Sequence, residues 1–108
     1  MLSAAQRHHT LSISRINLGE VYYLAAKDFS ILAAATLVAQ VKTFAQVISV
    51  TDEDIDDAAK LKARFKISYA DAFAAILSVR RGVPVVTGDP EFRNLEAAGV
   101  ITLYWIGA

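Results

Sequence analysis

The chain has 108 residues, of which 55% are hydrophobic and 20% are charged. This composition excludes a disordered segment and suits one small domain with a buried core. Eleven Lys and Arg residues balance eleven Asp and Glu residues, so no overall field attracts a polyanion, and nucleic-acid binding requires a local basic patch. The chain contains no cysteine, which excludes thiolate metal sites and favours a cytoplasmic location. Its longest largely apolar run, residues 31–39, is far shorter than the roughly 20 residues of a membrane-spanning helix.

Short apolar or alternating runs predict four strands, at residues 11–16, 47–50, 83–87 and 100–106. Five helices are predicted around them, each beginning at a polar residue that can cap its first turn: Asn17, Ser30, Thr51, Ser68 and Asp89. No element is predicted before Leu11. Strands that alternate with helices indicate an α/β domain, residues 1–108, with a mainly parallel sheet of about four strands.

Two of the predicted helices carry further signals. Asn17 and Glu20 have the spacing of a capping box at the start of the first helix. The second helix, residues 30–45, is apolar nearly all round, which predicts burial on more than one side. Its alanine-rich part, residues 33–39, allows close approach of another helix and is a candidate dimer surface.

Three acidic residues are predicted to lie near one edge of the sheet. Glu20 and Asp89 each follow a strand, at the edge where open α/β sheets build their sites, and Asp71 opens the helix that leads into residues 83–87. Carboxylates ~5 Å apart repel each other by about 3 kcal/mol at an effective dielectric near 20, and a hard cation such as Mg²⁺ or Mn²⁺ relieves this repulsion. The alternative is that each acid only caps its own helix, a contribution of ~1 kcal/mol.

At these residues the chain resembles the PIN-domain family, and in particular the VapC-type ribonuclease toxins. Three segments carry the resemblance, in the family's order and spacing: residues 13–23, 67–75 and 85–92. The terminal strand that contains Trp105 also agrees. The resemblance implies a three-layer α/β/α fold for nearly the whole chain.

The resemblance also implies a function, that of a metal-dependent endoribonuclease. The carboxylates that would hold Mg²⁺ or Mn²⁺ and act in hydrolysis of RNA are Glu20, Asp71 and Asp89. Polar side chains implied to lie beside them are Asn17, Ser68 and Thr87. The resemblance also implies that, as in toxin–antitoxin pairs, the domain is a homodimer that a cognate antitoxin protein silences. Candidate contacts to RNA phosphates are Arg15, Arg80 and Arg81, although the last two are equally well explained by the helix C-terminus that they occupy.

The sequence departs from the family at its start. Family members open with a strand that ends in Asp and is followed by a helix, and the chain has no match to either. One of four acidic ligands and the usual central strand are therefore expected to be missing, so residues 1–108 are interpreted as a truncated domain with impaired activity. An empty central slot would leave buried backbone groups unpaired, at roughly 1–3 kcal/mol for each. We expect strands 11–16 and 83–87 to close up, or another chain to fill the gap.

Whether the chain is an enzyme stays open at this point. The alternative function is a non-catalytic remnant that dimerises or binds an antitoxin, which the high hydrophobic content and the missing strand favour. A nucleotide-binding or receiver-like domain is a weaker alternative, because the sequence contains neither a Gly-x-Gly-x-x-Gly motif nor a phosphate-binding Gly-x-x-x-x-Gly-Lys loop.

Overall fold

A computed structural model of the chain describes residues 2–4 and 11–106. Within these ranges five strands and five helices follow one another in the order β1 (Leu2–Ala4), β2 (Leu11–Ser14), α1 (Arg15–Asp28), α2 (Ile31–Phe44), β3 (Ala45–Ile48), α3 (Asp52–Arg64), α4 (Tyr69–Arg81), β4 (Val85–Thr87), α5 (Phe92–Ala97) and β5 (Leu103–Trp105). None of the helices in the described ranges has the length and apolar character needed to cross a bilayer.

The five strands form one sheet in the order β3-β2-β1-β4-β5. The outer pairs, β2 with β3 and β4 with β5, are parallel, as strands joined by crossover helices should be. The predicted α/β fold is therefore confirmed. β1 is antiparallel to both of its neighbours, β2 and β4.

The expectation for the central slot was wrong. Strands β2 and β4 neither close up nor await another chain, because the chain's own residues Leu2–Ala4 lie between them and pair with both. Pairing on both sides satisfies the ladder groups that an empty slot would leave unpaired. The sequence predicted no element here, since a strand of three residues is too short to show a period.

The predicted helix caps are correct at three positions. Ser30, Thr51 and Ser68 cap α2, α3 and α4, and each hydroxyl accepts a hydrogen bond from the backbone N–H three residues on. Gly82 ends α4 in the left-handed conformation, with a φ of 64°.

The start of α1 was predicted wrongly. The helix begins at Arg15 because Ser14 is its cap: the Ser14 hydroxyl accepts from the backbone N–H of Asn17 at 3.0 Å. The strand before it ends at Ser14 instead of residue 16, and the predicted capping box of Asn17 with Glu20 does not form. The other strands are also shorter or shifted relative to the prediction, and β3 begins at Ala45 directly after α2.

The buried apolar side chains form two clusters. The N-terminal cluster draws on β2, α1, α2 and β3 and contains Ile13, Leu18, Val38, Val41 and Ala45. The larger C-terminal cluster draws on the elements from α3 onward, and its members include Leu61, Phe73, Val85, Phe92 and Leu95. The core therefore consists of two clusters, each built from one half of the chain.

Helix α2 is not buried on more than one side, contrary to the prediction. Only one stripe of its surface is buried, at Ala34, Val38 and Val41. Ile31 and Leu32 are 71% and 79% exposed. The prediction from composition failed because α2 lies at one side of the fold, where none of the elements in residues 2–4 and 11–106 covers its outer face.

Candidate active site

The carboxyl ends of β2 and β4 lie at the same edge of the sheet. Because β1 is antiparallel to both, β2 and β4 run in the same direction. Leu2 pairs with Ile13 and with Val86, so these two residues are level across the sheet. The residues that follow them, Ser14 and Thr87, therefore end their strands at one edge. This is the edge at which open α/β sheets place their sites.

Asp71 is a buried carboxylate at the start of α4. Its backbone N–H donates to the cap hydroxyl of Ser68 at 3.1 Å, and the residue is 5% exposed. Burial raises the pKa of Asp71, a hydrogen bond from Ser68 opposes this rise, and the negative charges of Asp89 and Glu20 add to it. Asp89 and Glu20, the other two carboxylates predicted from the sequence, are thus within electrostatic range of Asp71.

Asn17 connects the start of α1 to the start of α4. This fully buried side chain donates from Nδ2 to the carbonyl oxygen of Ala70 at 2.8 Å, next to Asp71. Its Oδ1 accepts from the Ser14 hydroxyl at 2.5 Å. Because the amide is held at both ends, α1 is fixed against the residue that precedes Asp71.

Glu20 lies inside α1 and does not cap the helix. It is three residues after Asn17, which places both side chains on the same face of the helix. Glu20 is partly exposed, whereas Asp71 is buried. Its carboxylate raises the pKa of Asp71 across the contact between α1 and α4.

Asp89 lies in a turn between β4 and α5. Its backbone N–H donates to the hydroxyl of Thr87 at 3.0 Å, and its Oδ1 accepts from the backbone N–H of Glu91 at 2.9 Å. Helix α5 begins only at Phe92, so the predicted helix cap at Asp89 was wrong. One carboxylate oxygen stabilises the turn, and the other takes no part in it.

Two comparisons with known proteins identify the family. The PIN domain family model matches residues 2–98. The chain is also 31% identical over 96 residues to "Ribonuclease VapC5" of Mycobacterium tuberculosis (strain ATCC 25618 / H37Rv), a match that covers 77% of the chain and 71% of that protein. The chain belongs to the PIN domain family. A search of solved structures found no match.

The carboxylates of this PIN domain do not form a closed metal cage. In the part of the chain that the structure describes, no three His, Asp or Glu side chains are grouped closely enough to hold one ion. Glu20 and Asp89 are therefore close enough to Asp71 to raise its pKa. The three side chains, however, are not positioned to bind one ion together without moving.

Arg80 of the PIN domain is engaged by helix α3. Its Nε lies 2.5 Å from Asp54 Oδ1, and its Nη2 lies 2.7 Å from Asp57 Oδ2 and 3.5 Å from Glu53 Oε1. An RNA phosphate would have to compete with three carboxylates for this guanidinium. The ion pairs argue against the predicted RNA contact at Arg80.

The other two arginines lie at different ends of the domain. Arg81 donates to Gln46 Oε1 at 3.3 Å and follows Asp71 by ten residues of helix, which is roughly 15 Å. Arg15 is exposed and is the first residue of α1, at the edge with the carboxylates. Of the three, Arg15 has the position that suits a phosphate contact near the carboxylates.

Sequence reasoning missed Ser14 and the pair formed by Arg93 and Trp105. Ser is a preferred cap, so its position at the end of the alternating run was a usable signal for Ser14. Arg93 Cζ lies 3.9 Å from the centre of the Trp105 ring. No local pattern indicates this contact, because it forms between α5 and β5.

Proposed function

We propose that this PIN domain is a metal-dependent endoribonuclease of the VapC type, with Glu20, Asp71 and Asp89 as its catalytic carboxylates. The observation that carries the proposal is the buried carboxylate of Asp71, whose pKa is raised by burial and by the charges of Asp89 and Glu20. Like charges brought together at a sheet edge are costly for a fold and are typical of sites that bind a cation.

The donor set fits a hard divalent cation. Carboxylate oxygens are the ligands that Mg²⁺ and Mn²⁺ prefer, and a cation offsets the repulsion that acts on Asp71. Glu20 and Asp89 are partly exposed, so their side chains can turn toward an ion near Asp71. When bound, such an ion would lower the pKa of a coordinated water and neutralise charge on the phosphodiester.

The residues of the chain itself position the carboxylates. Ser68 fixes the first turn of α4 through the backbone of Asp71, and Asn17 holds α1 against Ala70. Thr87 fixes the turn that carries Asp89. Three carboxylates hold an ion less tightly than four, so we expect weak metal binding and impaired activity from these 108 residues.

The substrate in this proposal is RNA, and the location is the cytoplasm. Ribonuclease activity is stated in the name of the similar mycobacterial protein. Arg15 is the proposed phosphate contact at the site, and Arg81 is proposed only for a strand that extends along α4. Net neutrality of the chain predicts weak binding that falls with salt.

Cleavage of a labelled RNA by the purified chain, with Mn²⁺ titrated to millimolar concentration, tests the proposal. Asp71→Asn and Glu20→Gln should each lower kcat/KM by at least about tenfold, which corresponds to about 1.4 kcal/mol. Asp56→Asn, an exposed acid on α3, is the matched control and should cleave as the wild type does. Equal cleavage by all four proteins, or none at any metal concentration, contradicts the assignment.

A second candidate function is supported by the exposed apolar surface of α1, α2 and the turn between them. Its large exposed side chains are Ile16, Tyr22, Tyr23, Leu24, Phe29, Ile31, Leu32, Leu37 and Phe44. Such a patch is typical of a protein interface. The chain then acts as a non-catalytic dimerisation module or binds an antitoxin through this surface. Light scattering tests the dimer: a clean monomer at high concentration argues against it.

A further inference from the structure

Arg93 and Trp105 form a stacked pair at the outer side of the sheet. Arg93 is the second residue of α5, and its guanidinium carbon lies 3.9 Å from the centre of the indole ring of Trp105, the last residue of β5. This distance places the guanidinium against the ring, well within the range of a cation–π interaction. The contact also limits the conformations of a long side chain, so the position of the positive charge is defined.

The pair lies near the end of β4 and the turn that carries Asp89. Trp105 is the register partner of Thr87 on β4, one strand spacing away, which is about 4.8 Å. The carbonyl of Thr87 accepts a hydrogen bond from the backbone N–H of Ile106, and its hydroxyl accepts one from the backbone N–H of Asp89. Thr87 therefore connects the residue after Trp105 to the turn that carries Asp89. Arg93 follows Asp89 by four residues, and its N–H donates to the carbonyl of Pro90 at 3.1 Å.

Arg93 keeps most of its capacity for a ligand. Its side chain is 52% exposed, and among the described residues the carboxylate that it meets is Glu96, at 3.5 Å. An exposed ion pair at this distance is weak, so Glu96 holds the guanidinium of Arg93 only loosely. Arg80, by contrast, is surrounded by carboxylates of α3. Arg93 is therefore a local cation in a chain whose net charge is zero.

We propose that Arg93 and Trp105 form a stacking platform for one base of single-stranded RNA, next to the turn that carries Asp89. The base stacks on the outer face of the guanidinium, whose inner face rests on Trp105, and the guanidinium N–H groups contact the neighbouring phosphate. Flat cationic and aromatic side chains are the surfaces on which unpaired bases stack. A duplex does not offer its bases in this way, so the platform selects single strands. The inference rests on the proposed ribonuclease function, because it takes the substrate to be RNA.

Trp105 is the single tryptophan of the chain, so its fluorescence reports on the platform directly. The purified 108-residue protein is titrated in EDTA with an eight-nucleotide oligoadenylate and with a hairpin duplex, and Trp emission is followed. EDTA prevents metal-dependent cleavage, so binding is measured separately from catalysis. We expect saturable quenching by the single strand and much weaker quenching by the duplex.

Variants separate stacking from general attraction to a polyanion. Loss of one stacked base weakens binding by roughly 5- to 150-fold, and Arg93→Ala should show a loss in this range. Arg93→Lys keeps the charge but not the flat surface and should recover only part of the affinity. Arg64→Ala is the matched control, because Arg64 also lies over a ring, that of Phe65 at 5.3 Å, but on α3. Its affinity should equal that of the wild type.

The outcomes distinguish the platform from the ribonuclease proposal. Cleavage that depends on Asp71, together with unchanged Trp emission or equal affinities for Arg93→Ala and Arg64→Ala, overturns the platform and leaves the ribonuclease. Quenching that depends on Arg93, without any cleavage that depends on Asp71, supports the platform and overturns the ribonuclease. Equal quenching by single strand and duplex overturns the platform.

Discussion

The two halves of the chain, β2 to β3 and α3 to β5, are packed to different degrees. The C-terminal half, from α3 to β5, buries aromatic, branched and alanine side chains in one cluster around Phe73 and Phe92. The N-terminal half, β2 to β3, has a smaller cluster around Ile13 and Leu18. Most of the large apolar side chains that are exposed in the described residues belong to this half. The C-terminal half therefore buries most of its large apolar side chains, and the N-terminal half leaves an apolar outer face exposed.

This difference bears on the candidate site, because its carboxylates come from both halves. Asp71 and Asp89 belong to the well-packed half, and Glu20 belongs to the other. The halves are joined by the pairing of β1 with β2 and β4, by the packing of α4 against α1 and β2, and by the bond from Asn17 to Ala70. We infer that the position of Glu20 relative to the other two carboxylates depends on these connections more than on packing within either half.

Core truncations should give the largest effects and test whether the halves differ in stability. Leu95→Ala removes a fully buried leucine from the C-terminal cluster and should lower the free energy of unfolding by about 3–5 kcal/mol. Leu18→Ala in the N-terminal cluster should cost about 2–3 kcal/mol, the low end for such a change, because its smaller surroundings can collapse. Urea denaturation measures both. Equal costs would mean that the clusters behave as one core.

A proline in β1 should break the connection between the halves. Ser3 pairs with Ser12 on one side and with Val85 on the other. Proline cannot donate to the ladder in a central strand, and a buried partner left unpaired costs about 1–3 kcal/mol. Ser3→Pro should therefore lower stability by that amount, with a loss of RNA cleavage. Ser3→Ala retains the N–H and is the control. An unchanged melting temperature in Ser3→Pro would show that β1 does not hold the halves together.

The sequence predicted the local features of the fold well. Caps at Ser30, Thr51 and Ser68 and the end of α4 at Gly82 are fixed by hydrogen bonds between residues that are close in the chain. Such features depend on neighbours that a sequence shows directly. The local positions of two predicted carboxylates also agree with the structure, since Asp71 lies in the first turn of α4 and Asp89 follows β4. That Glu20, Asp71 and Asp89 form one site stays a prediction.

The features that the sequence did not predict depend on distant contacts. β1 is held by pairing with residues 11–13 and 85–86, and its three residues carry no period of their own. The exposure of α2 follows from its place at one side of the fold, which composition does not reveal. The contact of Arg93 with Trp105 requires α5 to lie against β5. In each case tertiary position decided the outcome.

Removing the side chain of Asn17 tests the connection at the site itself. Asn17→Ala leaves the carbonyl of Ala70 without its partner, at a cost of about 1–3 kcal/mol, and we expect about 2 kcal/mol. Metal affinity should fall as well, because Glu20 is no longer held toward Asp71. Isothermal titration with Mn²⁺ measures this, and Asn94→Ala, an exposed asparagine on α5, is the control. A variant that is less stable yet binds metal unchanged would make Asn17 purely structural.

The smallest effect, and the one with an unusual sign, is expected from Asp71→Asn without metal. Because burial and the charges of Asp89 and Glu20 raise the pKa of Asp71, the folded protein binds the proton of this group more tightly than the unfolded chain does. Stability contributed by this group is therefore lost as the pH rises from the ordinary Asp pKa, about 3.9, through the raised value.

At neutral pH the variant should consequently melt at a higher temperature than the wild type, and the difference should vanish below the ordinary pKa. Thermal melts in EDTA from pH 3 to pH 8 measure this, with Asp56→Asn as the exposed control. Mn²⁺ should then raise the melting temperature of the wild type and leave Asp71→Asn unchanged, because only the native carboxylate binds the ion. If the wild type is instead the more stable protein at every pH, Asp71 stabilises α4 as a capping residue and the case for a cation site at this edge is lost.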